Sequence, residues 1–226
     1  MTARTPQPWS FSALDKFVNC PKQFYEVKVV KSVTEAESKE MRWGNYVHKA
    51  FEDRVAKGKP LPGQLQEHEE YIGQLADAEG VVAAERKLAL DKQLQPCGFF
   101  DKGRVWWRGV ADYSQTYGSK ARIIDYKTGK PHSKFQQIAM TAVHAFMEMP
   151  QLRQVEAIFY WTQAKEETSE VYTRADVPKI LGALTPDLRQ YANAFKHDVW
   201  QPRPSGLCHG WCPVTHCEHW KPKKKP

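Results

Sequence analysis

Apolar positions along the chain recur with two periods, and the changes of period mark out its elements. Residues 1–8 carry no pattern and are expected as a loose arm. Ser10-Phe11-Ser12 then offers an N-cap for a helix with Leu14, Phe17 and Val18 on one face. Cys20-Pro21 interrupts it, and Phe24, Tyr25 and Val27 form another apolar face. Polar residues 34–39 predict a mobile loop. From Lys39 to Lys57, Trp43, Val47, Phe51 and Val55 recur at helical spacing, with an end near Gly58 and Pro60. Residues 64–78 predict a second, more polar helix. The period then turns to that of strands. Val81–Leu90 predicts one, with Glu85 in its middle, and residues 91–102 connect it to Val105–Tyr113 and Lys120–Lys127. A helix over 133–149, strands over 155–163 and 170–174, and a helix over 177–197 follow, Pro178 being tolerable in a first turn. From Gln201 the pattern is lost. This order predicts one α/β domain over residues 1–226. A central mixed sheet is flanked by helices, and the strand after the 133–149 helix enters through a crossover.

Composition narrows the picture. Of 226 residues 41% are hydrophobic and 26% charged, as in soluble globular proteins. No apolar run approaches the roughly 20 residues that span a bilayer. The first residues have no signal-peptide core, so a cytoplasmic protein without a membrane partner is expected. A net charge of +7 and a pI near 9.1 favour an anionic partner, nucleic acid before membrane. There are five cysteines, four of them in NCPKQFY and the 208–217 stretch. In such a compartment clustering suggests metal ligation more than disulfides.

The densest chemistry lies in VWWRGVADYSQTYGSKARIIDYKTG, residues 105–129. Gly118-Ser119 suits a two-residue turn, and counting outward from it sets Asp112 opposite Asp125. Lys127 projects from the same face as Asp125. Opposed carboxylates repel and need compensation, which a hard divalent cation such as Mg²⁺ or Mn²⁺ supplies. A solvated face with Lys127 neutralising one acid fits the hairpin as well. Gly44 and His48 lie one turn apart on the 39–57 helix. His48 could ligate a metal or be an ordinary helix histidine, and Gly44 would admit another backbone. Strict alternation groups Glu85 with Val81 and Ala83, which leaves its burial open. Gln137 could reach back to the hairpin.

Together these residues resemble the PD-(D/E)XK nucleases of the RecB type, in particular phage and CRISPR-associated RecB-like exonucleases. The matching order is Gly44–His48 for GxxxH, Glu85, Gly109–Asp112 for GxxD, Asp125-Tyr126-Lys127 for D-x-K, and Gln137 opening QxxxY. The fifth position of the last motif is Thr141, which leaves the tyrosine's role on DNA to Tyr126, Tyr113 or no residue. The resemblance implies a restriction-endonuclease-like core and a metal-dependent DNA exonuclease of recombination or repair. The substrate would be single-stranded or have free ends, with a recombination or replication protein as a possible partner. An endonuclease with the same site and a DNA-binding accessory subunit are the rivals. It implies His48, Asp112, Asp125 and the Tyr126 carbonyl as Mg²⁺ or Mn²⁺ ligands. Lys127 would act on the attacking water or the transition state, with Glu85 as a further acid and Gln137 as a positioning residue.

Cys208, Cys212 and Cys217, with Cys20, resemble the iron–sulfur staple of AddB-type nucleases, the internal spacing being shifted by one residue. Four thiolates suit a 4Fe-4S cluster or structural Zn²⁺, and His209, His216 and His219 keep zinc open. Unligated thiols are the third reading. Cys97 has no clustered partner. Residues 221–226 are expected as a basic, solvated tail.

Overall fold

The computed structural model describes residues 5–132 and 135–223. The first half of the expected arm, the first two residues of the helix expected from Ser133, and the last three of the basic tail lie outside them. The chain divides into two compact units. One is contiguous, Ser38–Gly182, and the other joins residues 1–37 to 183–226.

The contiguous unit is built on a five-stranded mixed sheet in the order β1-β2-β3-β4-β5. Its strands are β1 (Val81–Leu90), β2 (Trp107–Tyr117), β3 (Lys120–Lys127), β4 (Gln154–Trp161) and β5 (Glu166–Thr173). The β2–β3 hairpin turns at Gly118-Ser119, with Gly118 at φ 56°, where glycine carries no Cβ penalty. Tyr117 pairs with Lys120 and Tyr113 with Ile124, the register counted from the sequence. β4 is parallel to β3, through the crossover that holds α5 (Gln136–Glu148). Among residues 5–132 the helices include α1 (Phe11–Asn19), α2 (Pro21–Phe24), α3 (Lys39–Lys57) and α4 (Glu69–Ala76). α3 has the expected bounds and stops where Gly58 turns left-handed at φ 66°. The polar helix expected over 64–78 is a 3₁₀ stretch over Gly63–His68 running into α4.

The two sheet faces are told apart by β3. Ile124 and Tyr126 bury against Val47 and Phe51 of α3 and Ile72 and Leu75 of α4. The alternate residues Asp125 and Lys127 reach Gln137 of α5. The apolar stripe of α3 is shorter than its spacing implied. Val47 and Phe51 are fully buried, whereas Trp43 stays 38% exposed and tilts against Tyr46, with ring centroids 5.6 Å apart. Tyr113 and Tyr126 are core residues at 0% and 2% exposure, and the Tyr113 hydroxyl donates to the Leu75 carbonyl at 3.0 Å. Neither ring can take the DNA-contacting role left vacant by Thr141.

The second unit has an aromatic core in which Phe17 of α1 and Phe24 of α2 meet Tyr191 and Phe195 of α6 (Val177–His197) and Trp200. Ser10 caps α1, its hydroxyl accepting from Ala13 N–H at 3.3 Å. The Arg203 guanidinium donates to the Val18 carbonyl and, at 2.6 Å, to Gln190 Oε1. These bonds fasten the C-terminal segment to the first helix.

Candidate active site

Glu85 is the backbone anomaly of the sheet. It adopts φ 49° inside β1, a left-handed conformation costly for a residue with a side chain. The β1–β2 register is the same on both sides of it, Ala84 against Tyr113 and Arg86 against Ala111, so no residue is inserted. Glu85 therefore faces Asp112. What changes is the side to which the alternation points. Before Glu85, Val82 packs on the α3–α4 cluster. After it, Leu88 pairs with Gly109, whose missing Cβ would stand 3.0 Å from the His144 ring of α5. Two even-numbered positions of one strand thus serve opposite faces. Strained backbone at a cluster of acids is a mark of a functional site.

Around this kink the structure gathers His48, Glu85 and Asp112, whose ligand atoms lie within 4.8 Å of one another. His48 Nε2 is 2.9 Å from the Tyr126 carbonyl oxygen and Nδ1 is 3.3 Å from Asp112 Oδ1. Burial pulls the imidazole pKa down, but Asp112, the charge of Asp125 and the Tyr126 carbonyl together raise it. Asp112 Oδ2 accepts the Tyr126 N–H at 2.8 Å, where the β2–β3 ladder has opened. Asp125 is held by other partners. Gln137 Nε2 donates to its Oδ1 at 2.6 Å, and Lys127 Nζ sits 2.6 Å from Oδ2. Lys127 also donates to Gln137 Oε1 at 2.8 Å and lies 5.2 Å from the Phe159 ring centroid. Burial, then the charge of Asp112, pushes the Asp125 carboxyl up to about 6 despite Lys127. Glu85 is raised by the same two causes.

All six candidate side chains of this site thus fall in the contiguous unit, in two groups. His48, Glu85 and Asp112 form one, and Asp125, Lys127 and Gln137 the other. Imidazole, carboxylates and the Tyr126 carbonyl are a donor set that fits Mg²⁺ or Mn²⁺. Burial and the charge of Asp112 both disfavour the ionised forms of Glu85 and Asp125, and a bound cation would offset them.

The group opens on a cleft of about 630 Å³ also lined by Asn45, Glu52 and Thr128, which sequence reasoning did not single out. Glu52 lies one turn beyond His48, so the i, i+4 ladder from Gly44 was the available signal. Gly44 admits no backbone. A Cβ there would meet only Thr128 Oγ1 at 3.5 Å, so the glycine leaves the cleft open. Gly109 is the tight position, held without a side chain by His144. Thr141 donates to its own helix, at the Gln137 carbonyl, 3.3 Å away.

In the second unit Cys20, Cys208, Cys212 and Cys217 line one apolar cavity with Val214 and Trp220. Cys20 Sγ accepts from the Gln23 and Arg203 N–H groups at 3.5 Å, and Cys208 Sγ from Ser205 N–H at 3.5 Å. Burial, and the other three cysteines as neighbouring charges, push the Cys212 thiol up. Among the described residues no three of these sulfurs come within 4.8 Å of one another. Cys97 lies in the β1–β2 connection of the other unit.

The sheet, its crossover and its flanking helices are the restriction-endonuclease-like α/β fold, with an acidic cluster where two strands part. The family model of the PD-(D/E)XK nuclease superfamily matches residues 8–96, a stretch that holds Cys20, His48 and Glu85 and stops short of the hairpin. Among the solved structures that share the fold are two of similar size. One, of SSO0001, is 12% identical, with 96% of this chain and 89% of that one covered and a TM-score of 0.52. The other, a Eubacterium rectale protein provisionally named an exonuclease, is 13% identical, with 97% and 90% covered and a TM-score of 0.53. No curated protein matches the chain.

Proposed function

We propose that this chain is a metal-dependent DNA exonuclease hydrolysing phosphodiester bonds on single strands or at free ends, in recombination or repair. The observation that carries the reading is the cluster of His48, Glu85 and Asp112 beside the Asp125–Lys127–Gln137 triad. His48, Asp112, Asp125 and the Tyr126 carbonyl would hold Mg²⁺ or Mn²⁺. A bound ion supplies Lewis acidity toward the phosphodiester and a lowered pKa for the attacking water. Lys127, fixed by Asp125 and Gln137, presents its ammonium to the water or to charge developing on the phosphoryl group. Glu85 adds an acid opposite Asp112. Gln137 positions Lys127 and Asp125 by one amide. The E. rectale protein's name supports the exonuclease part.

For the four cysteines we propose a 4Fe-4S cluster with a structural role. Tetrahedral zinc with bonds of about 2.3 Å would bring the sulfurs to roughly 3.8 Å of each other. That all four line one apolar cavity supports a shared metal centre, with zinc as the alternative.

End-labelled linear and circular single strands, incubated with and without Mn²⁺, test the activity. Short products or mononucleotides from linear DNA, an intact circle, and no products from either substrate with Asp125→Ala are expected. Cleavage of the circle makes the protein an endonuclease. A wild type inert with every divalent ion tried rejects the reading.

A further inference from the structure

Beyond Glu85 the sheet offers a strip that the catalytic reading leaves unused. Leu88 and Gly109 point to α5, so Lys87, Val110 and Arg108 point to the opposite side. Lys87 and Val110 are opposed across the strands, and Val110 is 38% exposed. Lys87 lies two residues past Glu85 and Arg108 four before Asp112, which sets them about 7 and 13 Å from the acids. The strip is roofed by the β1–β2 connection. Phe99 and Phe100 lie edge to face with centroids 5.1 Å apart, and Phe100 is 72% exposed. Lys87 Nζ is 5.1 Å from the Phe100 centroid, and the Arg108 guanidinium carbon 5.3 Å from that of Phe99.

The roof is a built loop. Asp91 Oδ1 accepts from Gln93 and Gln95 N–H at 2.9 Å, and Asp101 Oδ1 from Gly103 N–H at 3.0 Å. Arg108 Nε donates to the Phe99 carbonyl at 2.8 Å. The local acids are engaged, Asp91 with Arg104 and Asp101 with its own turn. Neither Lys87 nor Arg108 makes an ion pair among the described residues. Two uncompensated cations and an exposed ring, in line with an acidic cluster, combine the two elements that bind unstructured strands, phosphate attraction and base stacking.

We propose that Phe100, Lys87 and Arg108 form the track for a single nucleic-acid strand leading to the acidic cluster, with Phe100 stacking on a base and the two cations on phosphates. The proposal rests on the nuclease reading for the strand's destination. Its test is independent of cleavage. Anisotropy of a fluorescein-labelled oligothymidine is measured in EDTA against salt concentration, for wild type, Phe100→Ala, Lys87→Ala and Arg108→Ala. Phe100→Ala should weaken binding roughly tenfold with the salt slope unchanged, and that loss should vanish on an abasic strand. Lys87→Ala and Arg108→Ala should each flatten the slope of log K against log salt by about 0.7. Wild-type affinity and slope in all three variants would overturn the track, whatever the protein cleaves. A wild type that cleaves nothing while binding depends on Phe100 would instead sink the nuclease reading and leave the track standing.

Discussion

Lys127 and Gly109 show how differently two single positions can matter. The Lys127 ammonium is aimed by Asp125 and Gln137. Lys127→Ala should therefore lower kcat by orders of magnitude with little change in DNA affinity. Measured Kd and turnover separate this from a phosphate anchor, which would lose affinity instead. Gly109 is structural. A methyl group there meets His144 at 3.0–3.1 Å, and that ring is fully buried with its centroid 4.0 Å from Trp107. Gly109→Ala should cost about 1–3 kcal/mol in urea unfolding, and His144→Ala in the same chain should recover part of it. His144 also gives the fold a pH dependence. Burial holds its pKa down to about 4, against 6.5 for the free side chain. Below pH 6.5 the unfolded chain takes up a proton that the folded chain refuses. Stability is thus lost as pH falls from 6.5 to 4, by about 3 kcal/mol in all. His144→Leu should make the fall between pH 7 and pH 4.5 shallower, and an unchanged fall would show that ring to be solvated.

At the scale of elements, what could be read in advance were those with local punctuation. Gly58 fixes the end of α3 and Gly118 the register that brings Asp112 and Asp125 to the open end of one hairpin. β5 begins at Glu166, four residues earlier than its apolar pattern, because pairing with β4 and not burial defines it. Its Glu166, Glu167 and Glu170 suit an edge strand that must not pair further. The inversion at Glu85 had no local sign, since nothing in VVAAERKLAL marks a glutamate for positive φ. For this reason alternation could not decide which face Glu85 serves, and the strip of Lys87 and Arg108 went unseen. The inversion carries its own prediction. Glu85→Gly relieves the left-handed strain and the repulsion from Asp112, so it should stabilise the fold by about 1 kcal/mol while cutting cleavage sharply. A loss of stability, read from the urea midpoint, would mean that Glu85 is held in place by favourable contacts.

For the whole molecule, the division into units separates the two chemistries, with the acidic cluster inside residues 38–182 and the thiol cavity in the unit made from both flanks. The four cysteines that sequence spacing grouped line one cavity, where Cys20-Pro21 starts α2 and the Arg203 N–H bonds Cys20 Sγ. That spacing carried no sign of the division itself. A cluster joining Cys20 to the 208–217 segment would close most of the chain into one loop. The entropy removed from the unfolded state is worth about 5 kcal/mol on the scale used for cross-links. Cys208→Ala should accordingly give poorly soluble or much less stable protein, and Cys97→Ala should be mild. Anaerobically purified protein should be brown and contain iron and sulfide. Colourless protein with one zinc per chain moves the site to zinc, and colourless, metal-free, fully folded protein removes the staple.

The composite unit has a further consequence, for the order of events during synthesis. Translation runs through Ser38–Gly182 as one piece, so the sheet and its acids can assemble as soon as that stretch has left the ribosome. The first helices cannot complete their core then, because Tyr191, Phe195 and Trp200 are still to be made. At about 5–20 residues per second the interval between Cys20 and Cys208 lasts roughly ten to forty seconds. Throughout that interval Phe17, Phe24 and a lone thiol are bare in the cell. The nascent chain is thus exposed to aggregation and oxidation around α1 and α2, and residues 191–217, made much later, end that exposure.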